Sequence, residues 1–204
     1  MSGRSFIQKR RRAFSGLFIA ALIALIVTSE SRWDATGSVV GDLFFLLGLV
    51  LVGIATVGRL WCGLYISGYK TNTLITVGPY SICRNPLYFC SLLGGIGLGL
   101  ATETATFALM IVAGFLLYYP FVIRAEERDL QRTHGADFDR YAASTPRFWP
   151  SLGRLREPEE YLVKPKVFRR EVFDAMLFVW VVGVLELVEA LHAHQMIPAF
   201  FQLY

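Results

Sequence analysis

The chain has 204 residues, of which 54% are apolar and 18% charged, and its mean hydropathy is +0.48. Because the apolar residues fall in long runs, this composition excludes an ordinary soluble domain and favours a polytopic membrane protein. The formal net charge of +4 follows from where Lys and Arg lie relative to those runs, so it gives no case for nucleic-acid binding.

A helix that spans a bilayer needs about 20 mostly apolar residues. Five segments of the chain approach that length, at residues 13–28, 38–61, 86–101, 104–123 and 172–191. We therefore predict an all-α fold, a polytopic bundle of about five transmembrane helices. The prediction is one membrane domain over residues 1–204, with an N-terminal hairpin (1–61), a core (62–150), and an interfacial segment followed by the C-terminal helix (151–204).

The third and fourth segments carry residues that bend or crowd helices. The third segment is short and contains Gly94, Gly95, Gly97 and Gly99, which predicts a tilted, broken or closely packed helix. Asn85-Pro86 predicts its start, because proline favours the first turn of a helix. Pro120 near the end of the fourth segment predicts a kink.

The distribution of basic residues predicts the orientation. Short loops rich in Lys and Arg stay in the cytoplasm, and a basic run precedes the first segment. Threading five helices from a cytoplasmic N-terminus places loops 62–85 and 124–171 inside and the C-terminus outside. Of 20 Lys and Arg residues, only Arg32 then falls outside. We predict an integral protein of the inner or plasma membrane, with the first segment retained as a helix rather than cleaved as a signal peptide.

Residues 157–170 mix aromatic, aliphatic and basic side chains, which fits either a segment lying on the anionic inner leaflet or a plain linker. The sequence predicts no metal site. The three cysteines form no CxxC pair, and His192 and His194 fall on different faces of a helix.

Three groups of residues on the predicted cytoplasmic side are candidates for chemistry. Arg84 lies beside the start of the third segment, where a guanidinium and free backbone N–H groups favour an anion, and Tyr80 and Tyr88 flank it. The alternative is that Arg84 only anchors the start of the membrane helix on the cytoplasmic side and binds no ligand.

The second group is the pair Glu126-Glu127. Adjacent helical residues point about 100° apart, so the two carboxylates have different roles. Arg124 and Arg128 are i, i+4 neighbours that would pair with one of them, leaving the other for a cationic ligand. The alternative is that both carboxylates form ordinary salt bridges and neither is left for a ligand.

The third group consists of four aromatic side chains together with Arg147. Its members either anchor the chain at the interface or wall a pocket for an adenine or a sulfonium: Phe138, Tyr141, Phe148 and Trp149. Together the three groups supply an anion site, a cation site and an aromatic slot on one membrane face. That inventory predicts S-adenosylmethionine as the cofactor and a cytoplasmic cofactor-binding region.

Two blocks of sequence resemble a known family. GPYSICRNPLY, at 78–88, is similar to the GPY-x-x-x-R-H-P-x-Y signature of isoprenylcysteine carboxyl methyltransferases and the related phospholipid N-methyltransferases. EERDLQRTHGADFDRYAASTPRFWP, at 126–150, resembles the family's downstream block. The resemblance covers about residues 70–150, with Asn85 where the family usually has histidine. Asparagine still forms hydrogen bonds but cannot become a cation near pH 7.

The resemblance implies a membrane methyltransferase that acts on a lipid or lipidated acceptor, such as an isoprenylcysteine carboxylate. It implies Glu127 and Arg147 as catalytic residues. The cofactor-binding residues that it implies are Gly78, Tyr80, Arg84, Asn85, Tyr88, Glu126, Glu127, Tyr141 and Phe148. In this picture Arg84 holds the cofactor's carboxylate and one Glu its ammonium, while Arg147 or the other Glu faces the acceptor.

The acceptor stays open at this point. A carboxylate needs a positive group to hold it, whereas an amine such as phosphatidylethanolamine needs a base; a small thiol is the third possibility. Two other functions also remain open, a nicotinamide-dependent membrane reductase and a non-enzymatic membrane scaffold. No oligomeric state is predicted, and the expected partners are the bilayer and an amphiphilic substrate.

Overall fold

The computed structural model describes residues 16–67 and 73–204. In chain order the elements are α1 (Gly16–Thr28), β1 (Ser29–Ser31), α2 (Arg32–Ala35), α3 (Val39–Ile66), α4 (Pro79–Ile82), α5 (Pro86–Leu100), α6 (Ala105–His134), α7 (Ala136–Ser144), a 3-10 turn (Leu152–Arg154), α8 (Pro165–Ala193) and β2 (Phe201–Leu203). The mostly helical fold is confirmed, with a helix in each of the five predicted segments. Residues 13–15 of the first predicted segment lie outside the described residues.

Two helices extend well beyond their predicted bounds. The fourth predicted segment ends at residue 123, but α6 continues through Pro120 and the charged residues to His134. Glu, Arg, Leu and Gln are good helix formers in water, so the helix persists until Gly135, whose φ is +53°. α8 begins seven residues before the predicted 172, because Pro165 stands at its first position.

Two described helices, α3 and α6, are long and apolar enough to cross a membrane. α1 and α5 are shorter apolar helices. Large apolar side chains on the long helices point away from the bundle, including Val57, Leu117 and Trp180, which are 67%, 75% and 60% exposed. Such surfaces suit lipid better than water.

Glycines bring α5 into backbone contact with its neighbours. A Cβ atom added at Gly97 would lie 2.8 Å from the Gly48 carbonyl oxygen of α3. One added at Gly99 would lie 2.5 Å from the Ala108 nitrogen of α6. α5 is therefore continuous and closely packed, which selects one of the three predicted alternatives.

The segments predicted to lie outside meet at one end of the bundle. β1 and β2 pair in parallel, the Ser31 hydroxyl donates to the Glu103 carbonyl (2.9 Å), and the Thr106 N–H donates to the Tyr204 carbonyl (2.8 Å). The all-α prediction missed this short two-stranded sheet. Its strands are only three residues each and lie at opposite ends of the chain, so no local pattern indicates their pairing.

The segments predicted to lie inside meet at the other end. The Gly78 N–H donates to the Arg156 carbonyl (2.7 Å), and the Lys164 N–H donates to the Ser67 carbonyl (2.7 Å). These bonds tie the loop after α3 to the segment between α7 and α8, and the candidate site lies at this end.

Candidate functional site

The turn from α4 to α5 carries the first sequence block. Gly78 has a φ of +59°, and a Cβ atom there would lie 2.3 Å from the Tyr65 ring, so only glycine fits. The Arg84 N–H donates to the Pro146 carbonyl (2.8 Å), and the Tyr141 hydroxyl donates to the Tyr80 carbonyl (2.7 Å). The two sequence blocks are thus held side by side.

Glu127 lies at the buried centre of a charge cluster, which we call the Glu127 cluster (Arg84, Asn85, Glu127 and Arg147). One carboxylate oxygen accepts from Arg84 Nε at 2.9 Å, and the other from Arg147 Nε at 3.0 Å. Asn85 Nδ2 donates to the first oxygen (3.3 Å) and to the Arg147 carbonyl (2.9 Å). Because the Glu127 side chain is only 10% exposed, its negative charge requires local compensation, which the guanidinium groups of Arg84 and Arg147 supply.

The partners of Glu127 come from outside its own helix. The sequence pattern predicts that Arg124 and Arg128 pair with one of the two glutamates, but in the described part of the chain neither arginine forms an ion pair, and both are exposed. Water screens charges on that exposed face, whereas Arg84 and Arg147 reach a buried carboxylate.

Arg84 keeps donors available beyond the cluster. Its Nη1 donates to the Ala142 and Thr145 carbonyls, at 2.6 and 3.2 Å. The N–H groups of its Nη2 have no acceptor among the described residues. A planar guanidinium fixed on one side in this way offers its other side to an anion.

Glu126 has a different environment from its neighbour. Its side chain is exposed, and its Oε2 accepts a hydrogen bond from the Tyr88 hydroxyl at 2.8 Å. The Tyr88 ring packs edge-on against Tyr119, with centroids 5.4 Å apart. Among the described residues, the Glu126 carboxylate is therefore held by a neutral group and forms no ion pair.

A cavity of about 260 Å³ opens beside these residues, and we call it the inner cavity. It contains six of the nine predicted cofactor-binding residues: Tyr80, Arg84, Asn85, Tyr88, Glu126 and Tyr141. Its other lining residues are Ile66, Thr73, Leu74, Ile75, Pro86, Leu87 and Leu130. The two sequence blocks did not indicate Leu130 as a lining residue, although its i, i+4 spacing from Glu126 places it on the same face of α6.

The remaining predicted residues support the cavity without lining it. Gly78 packs behind α4 on Tyr65, and Glu127 is enclosed in its cluster. Phe148 packs against Phe89 and Phe115, with ring centroids 5.8 and 5.7 Å apart. Arg147, predicted as catalytic, is 54% exposed and contacts Glu127.

Two tyrosines of the inner cavity stay protonated. Burial raises the pKa of Tyr80, and burial also raises the pKa of Tyr141, because the phenolate is poorly solvated there. The Tyr80 hydroxyl is buried and has no hydrogen-bond partner among the described residues. A buried orphan hydroxyl in a cavity wall is a place where a ligand atom would be bound.

A family model described as phospholipid methyltransferase matches residues 11–137, which is more than half of the chain. The chain belongs to the phospholipid methyltransferase family. The match includes the first sequence block and the Glu126-Glu127 pair, and it ends before Arg147. The resemblance stated from the sequence is confirmed.

Two proteins similar to this chain are named as metal resistance proteins. A nickel-cobalt-cadmium resistance protein of Alcaligenes xylosoxydans xylosoxydans is 39% identical over 196 residues, covering 96% of this chain and 91% of the relative. A cobalt-zinc-cadmium resistance protein of Cupriavidus metallidurans is 41% identical over 186 residues, covering 91% and 83%. No solved structure matches the chain.

Metal ligands do not converge in the part of the chain that the structure describes. Residues 16–67 and 73–204 contain no group of three or more His, Cys, Asp or Glu side chains that could hold a metal ion. His192 lies near the C-terminal end of α8, where its Nε2 is 3.1 Å from the Val27 carbonyl oxygen.

Proposed function

We propose that this protein is an S-adenosylmethionine-dependent methyltransferase of the membrane that methylates a lipid or lipidated acceptor. The observation that carries the proposal is the inner cavity itself. The two sequence blocks bring together an arginine with spare donors, an orphan buried hydroxyl and a carboxylate in one wall. A zwitterionic molecule with a further positive charge fits that donor set.

Each of these residues has a distinct part in holding the cofactor. The Nη2 donors of Arg84 would take its carboxylate, and the Tyr80 hydroxyl would hydrogen-bond to it. The rings of Tyr88 and Tyr141 would face its positive end, with Glu126 as the nearby negative charge. When bound, S-adenosylmethionine supplies an electrophilic methyl group, whose bond to sulfur breaks as the acceptor's electron pair forms the new bond to carbon.

The chain's own contribution is alignment and exclusion of water. The Glu127 cluster fixes Arg84, and the bond from Tyr141 fixes Tyr80, so the cavity wall is rigid before any ligand arrives. Such preorganisation is what a reaction with an already activated donor requires.

The proposed location is an integral membrane protein with five spans and a cytoplasmic N-terminus and cofactor site. The exposed apolar faces of α3, α6 and α8 support the spans. The segments predicted to be cytoplasmic lie together at one end of the bundle, and those predicted to be outside lie together at the other. This arrangement also supports the proposed spans. The acceptor would then reach the inner cavity sideways from the bilayer.

The names of the relatives suggest where such a reaction would act. Two proteins covering most of this chain are named for resistance to nickel, cobalt, zinc or cadmium. We propose that this chain contributes to metal resistance by modifying an acceptor. Growth of a deletion strain on cadmium would test this: the wild-type gene restores growth, whereas Arg84→Ala does not. Equal rescue by both would contradict it.

Calorimetry on the purified protein in lipid tests the proposed function directly. We expect heat on adding S-adenosylhomocysteine and none on adding NADPH, which also excludes the reductase alternative. Arg84→Ala should abolish that heat, whereas Arg124→Ala, an exposed control on the same membrane face, should retain it. Absence of binding to wild-type protein would overturn the proposal.

A further inference from the structure

A second cavity lies against the inner cavity, along one face of α6. It has a volume of about 340 Å³, and we call it the α6 cleft. Its lining residues are Tyr88, Val122, Ala125, Glu126, Asp129, Leu130 and Thr133. The end nearer the middle of α6 is apolar and the end nearer His134 is polar, which suits an amphiphile with its head group toward the cytoplasm.

The wall between the two cavities is made by few side chains. Tyr88, Glu126 and Leu130 line both of them. Within that wall, the Tyr88 hydroxyl donates to Glu126 Oε2 at 2.8 Å. A molecule in the α6 cleft is therefore separated from the inner cavity by one hydrogen-bonded pair and one leucine.

The charges available at that wall restrict the acceptor. Arg84 donates from Nε to Glu127, and its Nη2 donors would be taken by the cofactor's carboxylate. Arg147 also donates from Nε to Glu127 and lines neither cavity. Glu126 is the charged side chain that borders both cavities in the described part of the chain, and it is negative. A carboxylate acceptor would be repelled there, whereas an N–H or S–H group would find an acceptor for its proton.

We propose that the Tyr88–Glu126 pair is a gate between the α6 cleft and the inner cavity, and that Glu126 accepts the proton of a protic acceptor, an amine or a thiol. This inference rests on the proposed function. When the pair opens, Glu126 takes the N–H or S–H proton, the freed electron pair of the acceptor forms the bond to the methyl carbon, and the donor's carbon–sulfur pair stays on sulfur. The proton then passes from Glu126 to cytoplasmic water.

Matched acceptors distinguish the chemical classes. Dodecylamine, dodecanethiol and dodecanoate share one chain and differ in the head group. Wild-type protein should methylate the amine or the thiol, and not the carboxylate. Methylation of dodecanoate at an equal or higher rate would overturn the inference while leaving the proposed function intact. Absence of both cofactor binding and methyl transfer would overturn the two together.

Two variants test the role of Glu126 as proton acceptor separately from the role of the Tyr88–Glu126 pair as a gate. Glu126→Gln should lower kcat by about 10²-fold or more, while S-adenosylhomocysteine affinity changes far less. Glu160→Gln, an exposed loop acid, is the matched control and should behave as wild type. Tyr88→Phe should lower the KM for the acceptor, because the closed pair no longer has to be broken. Retained kcat in Glu126→Gln, or a raised KM in Tyr88→Phe, would contradict the proposal.

Thiol labelling gives a readout that does not need turnover. Ala125 lines the α6 cleft and not the inner cavity, whereas Arg124 lines neither. Cys62, Cys83 and Cys90 are buried. Ala125→Cys should lose reactivity toward a maleimide when dodecylamine is added, and Arg124→Cys should not. Equal labelling of Ala125→Cys with and without dodecylamine would show that the amine does not enter the α6 cleft.

Discussion

The Glu127 cluster and the wall at Glu126 differ although their acids are adjacent in the chain. Glu127 is buried between two guanidinium groups and an amide. Glu126 is exposed, and among the described residues its carboxylate accepts a hydrogen bond from the neutral Tyr88 hydroxyl. The first arrangement fixes the turn between α4 and α5, whereas the second leaves a charge available at a cavity. A single residue step along α6, about 100° around the helix, thus separates a buried structural acid from an acid that borders two cavities.

Removing the buried acid should have the largest effect on stability. Glu127→Ala leaves Arg84 buried without its counter-charge, which costs about 3–5 kcal/mol. Glu126→Ala should cost only about 0.5 kcal/mol, as for other exposed positions. Thermal unfolding in detergent measures both. If the two variants lost equal stability, the contrast between the acids would be wrong.

Substitution of the two arginines in the Glu127 cluster should reduce stability by different amounts, because the two side chains differ in burial. Arg84 is 10% exposed and Arg147 54%. Arg84→Met would leave Glu127 with a half-exposed partner and should cost about 2–4 kcal/mol. Arg147→Met should cost about 1 kcal/mol or less, because solvent screens that pair. Denaturation of the two proteins under the same conditions tests the order, and a greater loss in Arg147→Met would reverse it.

Asn85 should contribute less than either ion pair. Asn85→Leu removes the donor to Glu127 and to the Arg147 carbonyl, at a cost of about 1–3 kcal/mol. Asn85→His keeps a ring N–H donor and should recover part of that loss. Comparing the melting temperatures of the two variants measures the hydrogen bond. A histidine variant no more stable than the leucine variant would contradict this role.

Alkaline pH should produce the smallest effect. Burial raises the pKa of Tyr80 and Tyr141 above the unfolded value of about 10, so folding favours the neutral phenols. Their stabilisation is complete below about pH 10 and is lost as pH rises from there toward the folded pKa. Melting temperature should fall in that range, and less so in Tyr80→Phe. An unchanged alkaline slope in that variant would show that Tyr80 does not contribute.

The sequence was sufficient to predict that the five main apolar segments are helical, and it indicated six of the thirteen residues that line the inner cavity. Asn85-Pro86 predicted the start of α5, and the two sequence blocks predicted six residues that line one cavity. The sequence could not assign the roles of Glu126 and Glu127, because those depend on Arg84 and Arg147, which the fold brings from elsewhere. The end of α6 was also misplaced, since hydropathy falls where helix propensity does not.

The glycine contacts of α5 limit how this bundle can move. Gly97 and Gly99 press backbone against backbone near the C-terminal end of α5, and such contacts do not part without losing many close packing interactions. Tyr88 lies in the first turn of the same helix, at the opposite end. These contacts thus act as a fulcrum, and any widening of the bundle takes place at the end that carries the inner cavity.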